Sequence, residues 1–176
     1  MWKIFLLFLL LSAGCTFGFE PLPPGGSVGT PGGNDNGGAP SGERATVSQI
    51  IDGDTIDVVI NGRTERVRYI GVNTPERNET CYRDATNANT TLVQGQTVTL
   101  VRDTSNTDPF DRLLRYVYVG STFVNAELIR QGYAEVVRYP PDTAQFDNFR
   151  RLEIEATSAN RGCHPTGIFN DGTYDR

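Results

Sequence analysis

Oxygen-rich side chains concentrate in two short stretches of this 176-residue chain. In "IIDGDTI", Asp52 and Asp54 flank a glycine between two segments typical of strands, and in "VRYIGVNTPE" the residues Asn73 and Thr74 follow a third such segment. Hard cations such as Ca²⁺ prefer carboxylate, amide and backbone carbonyl oxygens. Asp54, Asn73 and the carbonyl of Thr74 could therefore hold such a cation if the first turn meets the end of the third strand. Taken alone, Asp-Gly is also ordinary turn chemistry.

Two arginines and a glutamate near these stretches are suited to phosphate chemistry. Arg68 lies in the third predicted strand, Arg112 lies just before a later strand in "DPFDRLLRYVYV", and Glu76 follows the polar cluster. A guanidinium group binds phosphate through two parallel hydrogen bonds, and a carboxylate can take a proton from an attacking water. Each residue alone would be an ordinary solvated side chain. Together they predict phosphodiester hydrolysis, with Glu76 acting on water and both arginines balancing transition-state charge.

The rest of the composition narrows the kinds of site that the chain can build. His164 is the single histidine, which argues against zinc sites made of several histidines, histidine-based nucleophile triads and histidine general bases. The net charge is −5 and the pI is about 4.9. This acidity argues mildly against a protein that coats nucleic acid, but it does not exclude an enzyme that must release its product.

The N-terminus, "MWKIFLLFLLLSAGC", has the pattern of a secretory signal, with one lysine, an apolar run and small residues before Cys15. The apolar run is too short for a stable membrane-spanning helix. Its end resembles the lipobox of bacterial lipoproteins, which implies that Cys15 is lipidated; an ordinary signal peptide is the alternative. We therefore predict an exported lipoprotein, anchored in the membrane at the bacterial cell surface or envelope. The predicted parts are a signal peptide (1–14), a Gly/Pro-rich linker (15–44), a folded domain (45–165) and a tail (166–176).

Apart from Cys15, the chain has two cysteines, Cys81 and Cys163. In an exported protein, two leftover cysteines favour a disulfide over a metal site, although two unpaired buried thiols are the alternative. The bond would close a loop of about 80 residues and would tie the C-terminal segment to the loop after "NTPE".

Alternating β-branched residues and turn signals predict five strands with inserted and appended helices. Asn61-Gly62 between two such runs is a strong hairpin signal. Five short strands of this kind favour an α+β, mainly β fold, namely a five-stranded OB-fold barrel with about three helices. The predicted strands are Thr46–Ile51, Thr55–Ile60, Thr64–Val72, Thr97–Val101 and Leu114–Val119, and the predicted helices are Asp84–Val93, Asn125–Arg130 and Asp142–Asn160.

The motifs "IDGDT", "VRYIGVNTPE", "DPFDRLLRYVYV" and "VNAELIRQGYAEV" resemble the staphylococcal nuclease (thermonuclease) family in order and spacing, from Ala45 to about Pro165. The resemblance implies an OB barrel with three helices and Ca²⁺-dependent cleavage of DNA and RNA. Separately, we expect the protein to be a monomer. It implies the following roles: Asp54 and the Thr74 carbonyl as calcium ligands with Asp52 close by, Glu76 acting on water, Arg68 and Arg112 holding the phosphate, and Phe110 and Tyr139 contacting nucleotide.

The sequence departs from the family pattern at three positions. Asn73 stands where the family usually has a second aspartate ligand, Asp111 where it usually has glycine, and Arg115 where a small residue is common. The Asn73 oxygen can still bind a cation, but one charge is lost, so we expect weaker Ca²⁺ binding than an aspartate would give. Two other interpretations stay open: a catalytically degraded nucleic-acid-binding module, and a surface lipoprotein whose barrel only contacts partners.

Overall fold

A computed structural model describes residues 40–170 and 172–174 of the chain. The predicted signal peptide, the predicted lipidation site Cys15 and most of the predicted linker lie outside these residues. Within the described part, no helix has the length and apolar character needed to cross a membrane. The strands are β1 (Glu43–Ile50), β2 (Thr55–Ile60), β3 (Arg63–Tyr69), β4 (Val72–Asn73), β5 (Thr97–Val101), β6 (Leu113–Val119), β7 (Thr122–Phe123) and β8 (Glu135–Val136), and the helices are α1 (Tyr82–Val93), α2 (Val124–Arg130) and α3 (Phe146–Ser158).

Five of the strands close into a barrel, which confirms the predicted fold. Strand β1 pairs antiparallel with both β2 and β5. In turn, β2 pairs antiparallel with β3, and β5 pairs antiparallel with β6. The barrel closes where β3 and β6 pair in parallel, with Arg68 opposite Leu114. Strand β7 extends the β6 edge, and β4 pairs with β8 in a separate two-stranded sheet.

The β2–β3 hairpin forms at the predicted Asn61-Gly62 turn. Both residues have positive φ, 50° and 79°. A two-residue turn with both φ values positive matches the right-handed twist of the strands that it joins, and Asn-Gly tolerates this backbone. The six residue pairs of the hairpin run from Ile60 opposite Arg63 to Thr55 opposite Arg68. The turn therefore sets the register that places Arg68 beside the end of the Asp52–Asp54 turn.

Two boundaries of the predicted strands differ from the structure by three residues, and the others by no more than one. Strand β1 begins at Glu43, three residues before the predicted start at Thr46, because residues 43–46 add four pairs with β5. The third strand ends at Tyr69 and not at Val72, since the chain turns at Gly71 and the next two residues pair with β8. This turn separates Asn73 from the barrel strand and places it in a second, smaller sheet.

Helix α3 is shorter than predicted. The segment before it is held outside the helix by hydrogen bonds between Asp142 and a loop that is distant in the sequence. The Asp142 side chain is 2% exposed, and one of its oxygens accepts hydrogen bonds from the backbone N–H groups of Thr104 and Ser105 at 2.8 and 2.7 Å. Residue 142 is thus held outside the helix. Within the helix, Ile154 is 56% exposed, whereas Phe149 is fully buried in the core.

Two buried asparagines attach helices to the barrel. Asn89 of α1 accepts a hydrogen bond from the Tyr69 hydroxyl (2.9 Å) and donates one to the backbone carbonyl of Asp52 (2.8 Å). Asn125 of α2 accepts from the Val117 N–H and donates to the Ile70 carbonyl, both at 2.9 Å. Since a buried polar group without a partner is costly, these bonds fix where each helix lies on the barrel.

A disulfide joins Cys81 to Cys163, with the two Cα atoms 5.8 Å apart. Cys81 directly precedes α1, and Cys163 is a fully buried residue between α3 and a short 3₁₀ turn of His164–Thr166. The bond therefore ties the end of the polar loop to the C-terminal part of the domain. The predicted tail is partly packed, since the Tyr174 ring contacts the Phe146 ring at 5.9 Å.

Candidate active site

The Asp-Gly-Asp turn meets the polar residues that follow the third predicted strand, as the cation hypothesis required. One carboxylate oxygen of Asp54 accepts hydrogen bonds from the backbone N–H and the hydroxyl of Thr74, at 2.9 and 3.1 Å. The approach is so close that a Cβ atom at Gly53 would lie 2.6 Å from the Thr74 hydroxyl oxygen. Glycine between the two aspartates is therefore a packing requirement as well as a turn signal.

Negative charge accumulates at this turn. Asp54 is 5% exposed, and its second oxygen lies 3.2 Å from Nε of Arg68 and accepts from the Thr55 hydroxyl at 3.0 Å. Asp52 accepts a hydrogen bond from the backbone N–H of Asp54 at 3.1 Å. Burial and the neighbouring Asp54 charge raise the pKa of Asp52 to about 6. Adding a positive charge here would favour the ionised form of Asp52.

Arg68 is held rigidly among acceptors. One terminal nitrogen donates to the backbone carbonyls of Tyr69 (2.8 Å) and Val72 (2.7 Å), and the other lies 3.5 Å from the amide oxygen of Asn73. Together with the Asp54 contact, these bonds use most of the guanidinium donors. The side chain is thus fixed before any substrate arrives, which reduces the entropy lost on binding.

The Asn73 amide faces a buried acid that sequence analysis missed. Its Nδ2 donates to Oε1 of Glu135 at 2.8 Å, across the β4–β8 pair in which the two residues lie opposite each other. Glu135 is 4% exposed. Nothing in the spacing of residues 73 and 135 indicated this contact, since it depends on the pairing of two very short strands.

Arg112 is anchored by Asp108, a second acid that sequence analysis missed. One Asp108 oxygen accepts from the Nε of Arg112 at 2.6 Å, and the other accepts from the backbone N–H groups of Arg112 and Phe110. Burial opposes the charged form of Asp108, but the hydrogen bonds from Arg112 and Phe110 outweigh it and lower the pKa. An available signal was the Asp-Pro that opens "DPFDR", which is typical of a side chain capping its own turn.

The two predicted phosphate-binding arginines line one small cavity of about 80 Å³. Tyr139, predicted to contact nucleotide, lines it as well, together with Asp108 and Leu114. The β3–β6 seam produces this proximity, because it sets Arg68 opposite Leu114, two residues after Arg112. The residues that line the cavity thus include two arginines and a tyrosine, whose side chains are of the types that donate hydrogen bonds to phosphate.

Of the residues predicted to act in catalysis or to contact nucleotide, two lie outside the lining of this cavity. Phe110 is 78% exposed, and its ring centre is 5.5 Å from the Arg112 guanidinium carbon. Glu76 is exposed in the loop after β4, and its backbone N–H donates to the Glu79 carboxylate at 2.6 Å. The roles of Phe110 in nucleotide contact and of Glu76 in catalysis therefore stay predictions.

The other two departures from the family pattern have local structural explanations. Asp111 has a φ of 61°, in the left-handed region that favours glycine and that aspartate tolerates better than most residues. Arg115 is 4% exposed and donates to the backbone carbonyls of Asn106 and Leu114 and to the Asn106 side chain. Arg115 is thus occupied in fixing the loop that precedes β6.

Oxygen atoms of the types that a hard cation selects lie at this turn and beside Arg68. Asp54, Asp52 and Asn73 offer carboxylate and amide oxygens, the atom types that Ca²⁺ selects. The described residues contain no cluster of three or more histidine, cysteine, aspartate or glutamate side chains able to hold a metal. A cation bound here would accordingly depend on amide and backbone oxygens as well as on carboxylates, and the Thr74 carbonyl stays a predicted ligand.

Known proteins resemble this chain over more than half of its length. The family model described as "Staphylococcal nuclease homologue" matches residues 66–163. Endonuclease YncB of Bacillus subtilis is 40% identical over 121 residues, which cover 64% of this chain and 57% of that protein. The thermonuclease of Staphylococcus intermedius is 36% identical over 121 residues, 65% of this chain and 70% of that protein. The chain thus spans little more than half of the Bacillus relative, and it belongs to the family of staphylococcal nuclease homologues.

Proposed function

We propose that this protein is a nuclease that hydrolyses phosphodiester bonds of DNA and RNA in a Ca²⁺-dependent reaction. The observation that carries the proposal is the cavity shared by Arg68 and Arg112, directly beside the oxygen cluster of Asp54. Relatives that are named endonuclease and thermonuclease support the same reaction. We further propose that the protein is exported and tethered to the bacterial surface through Cys15, on the strength of its N-terminal sequence alone.

In this mechanism each residue has a separate task. The two guanidinium groups bind the non-bridging oxygens of the scissile phosphate and oppose the charge that grows on them in the transition state. Glu76 takes a proton from the attacking water. Asp54, Asn73 and the Thr74 carbonyl would hold Ca²⁺, and the bound ion would supply further positive charge next to the phosphate. Arg68 also stabilises the Asp54 carboxylate before substrate binds, through the 3.2 Å contact.

Cleavage of fluorogenic DNA and RNA oligonucleotides by the full chain tests the proposal. We expect turnover at about 1 mM Ca²⁺, because extracellular sites commonly bind calcium in this range, and we expect EGTA to abolish it. A folded chain that binds single-stranded DNA but does not cleave it would contradict the enzyme. That result would favour the binding module, which the amide at position 73 also favours.

Replacing Asp108 by asparagine should weaken both the activity and the fold. The side chain is 1% exposed and bonds both the side chain and the backbone of Arg112. Hydrogen bonds to charged groups contribute roughly 1.5–3 kcal/mol each, so we expect a loss of about 2 kcal/mol in unfolding free energy. Urea unfolding measures this, and kcat/KM should fall because Arg112 is no longer held at the cavity. Asp103→Asn, which removes an acid that accepts from the Tyr116 hydroxyl outside the cavity, is the matched control.

A further inference from the structure

The orientation of the Asn73 amide is determined by two neighbours of opposite chemistry. Glu135 offers a carboxylate, which only accepts hydrogen bonds, and it lies 2.8 Å from Nδ2 of Asn73. Arg68 offers a guanidinium, which only donates, and it lies 3.5 Å from Oδ1. An amide rotated by 180° would place its NH₂ against the guanidinium and its oxygen against the carboxylate. The oxygen of Asn73 therefore faces the side of the site where Arg68 contacts Asp54.

The same arrangement explains why residue 73 is not an acid. Asn73 and Glu135 lie directly opposite each other in the β4–β8 pair, and Glu135 is 4% exposed. Like charges directly opposite each other on paired strands are destabilising, and a buried setting strengthens the repulsion. An aspartate at position 73 would place a second carboxylate against Oε1 of Glu135, the atom that now accepts a hydrogen bond from Asn73. Glu135 thus favours an amide at this position.

We propose that Glu135 is a positioning residue of the cation site, and that Asn73 and Glu135 act as one coupled pair. Glu135 holds the Asn73 amide so that its oxygen faces the cation, and its charge disfavours aspartate at position 73. This inference rests on the proposed Ca²⁺-dependent function. The inference predicts that aspartate at position 73 would not bind Ca²⁺ more tightly in this chain, because Glu135 opposes the gain in ligand charge.

Calorimetric titration of the full chain with Ca²⁺ tests the pair through a double-mutant cycle. We expect Glu135→Gln to weaken binding about tenfold, because a neutral amide accepts a weaker hydrogen bond than a carboxylate and can rotate its NH₂ toward Asn73, and weakening a partner that orients a ligand usually costs this much. Asn73→Asp alone should not tighten binding. The double variant should bind at least about tenfold more tightly than Asn73→Asp, since the amide introduced at position 135 can donate to the new carboxylate and contacting residues couple by this much.

Glu153→Gln is the matched control. Glu153 is also buried, at 8% exposure, but it accepts a hydrogen bond from the backbone N–H of Val136 at 2.8 Å. This substitution therefore removes a nearby negative charge without removing the Asn73 contact, and the Ca²⁺ affinity of the variant should equal that of the wild type. In ¹⁵N NMR spectra, the side-chain NH₂ of Asn73 should exchange slowly in the wild type and in Glu153→Gln, and rapidly in Glu135→Gln.

The possible results separate this inference from the function on which it rests. Additive effects of the two substitutions, or equal affinities of Glu135→Gln and Glu153→Gln, would overturn the coupling while leaving a Ca²⁺-binding nuclease in place. A wild-type chain that binds no Ca²⁺ and cleaves nothing would overturn the proposed function and this inference with it. If Asn73→Asp does not fold, the Glu135→Gln and Glu153→Gln affinities and the NMR signature decide the outcome.

Discussion

Glu76→Gln should reduce cleavage of DNA about 10³-fold at saturating Ca²⁺, within the range that general-base catalysis contributes. Glutamine keeps the size of the side chain but cannot take a proton from water. The loop should keep its shape, since the contact that holds it there is made by the backbone N–H of Glu76 and the carboxylate of Glu79. Single-turnover cleavage rates measure the effect on the chemical step.

Glu155→Gln provides a control for the loss of one carboxylate. Its side chain is 48% exposed on α3, where it pairs with Arg151, and exposed pairs of this kind contribute little. The control should cleave at the wild-type rate. A Glu76→Gln chain that cleaves as fast as Glu155→Gln would remove Glu76 from the mechanism, and the search for the base would move to Asp52, whose pKa lies near 6.

Replacing both Cys81 and Cys163 by alanine should produce the largest loss of stability. The cysteines are 82 residues apart in the sequence, and a closed loop of that length restricts the unfolded chain by roughly 4–5 kcal/mol. Small domains are commonly stable by only about 5–15 kcal/mol, so the variant should unfold at a much lower urea concentration. Activity should fall as well, because Cys81 closes the loop that carries Glu76.

Reductant supplies the control for this measurement. Dithiothreitol should shift the urea midpoint of the wild-type chain toward that of the double-alanine variant, and it should leave the variant unchanged. Equal urea midpoints for the oxidised wild type and the variant would show that the disulfide contributes nothing to stability. Cys163 would then be only a small side chain buried in the core.

Local signals in the sequence were sufficient for the barrel and for part of the site. The Asn61-Gly62 turn, the alternation of the flanking strands and the polar residues at their ends act over a few positions, so their outcome can be predicted without knowing the rest of the fold. The Asp-Gly-Asp turn is the best example, since its expected meeting with Thr74 follows from hairpin geometry and is present in the structure.

Long-range polar contacts were the part that could not be predicted. Glu135 reaches Asn73 across a two-residue strand pair, and Asn89 supports the Asp52 turn from inside a helix, where asparagine has low intrinsic propensity. In both cases tertiary burial reverses what the residue type suggests locally. The start of α3 moved for the same reason, because Asp142 bonds a distant loop instead of the helix.

The parallel seam between β3 and β6 also makes the domain suitable for engineering. The two arginines are positioned by strand pairing at the seam, and not by the length of chain between them. The exposed turn at Gly95, between α1 and β5, has open space around its Cα and lies in that intervening stretch. A peptide tag inserted at this turn should leave the arginines in register, so that the domain could carry an affinity handle or a fluorophore while its cavity keeps its shape.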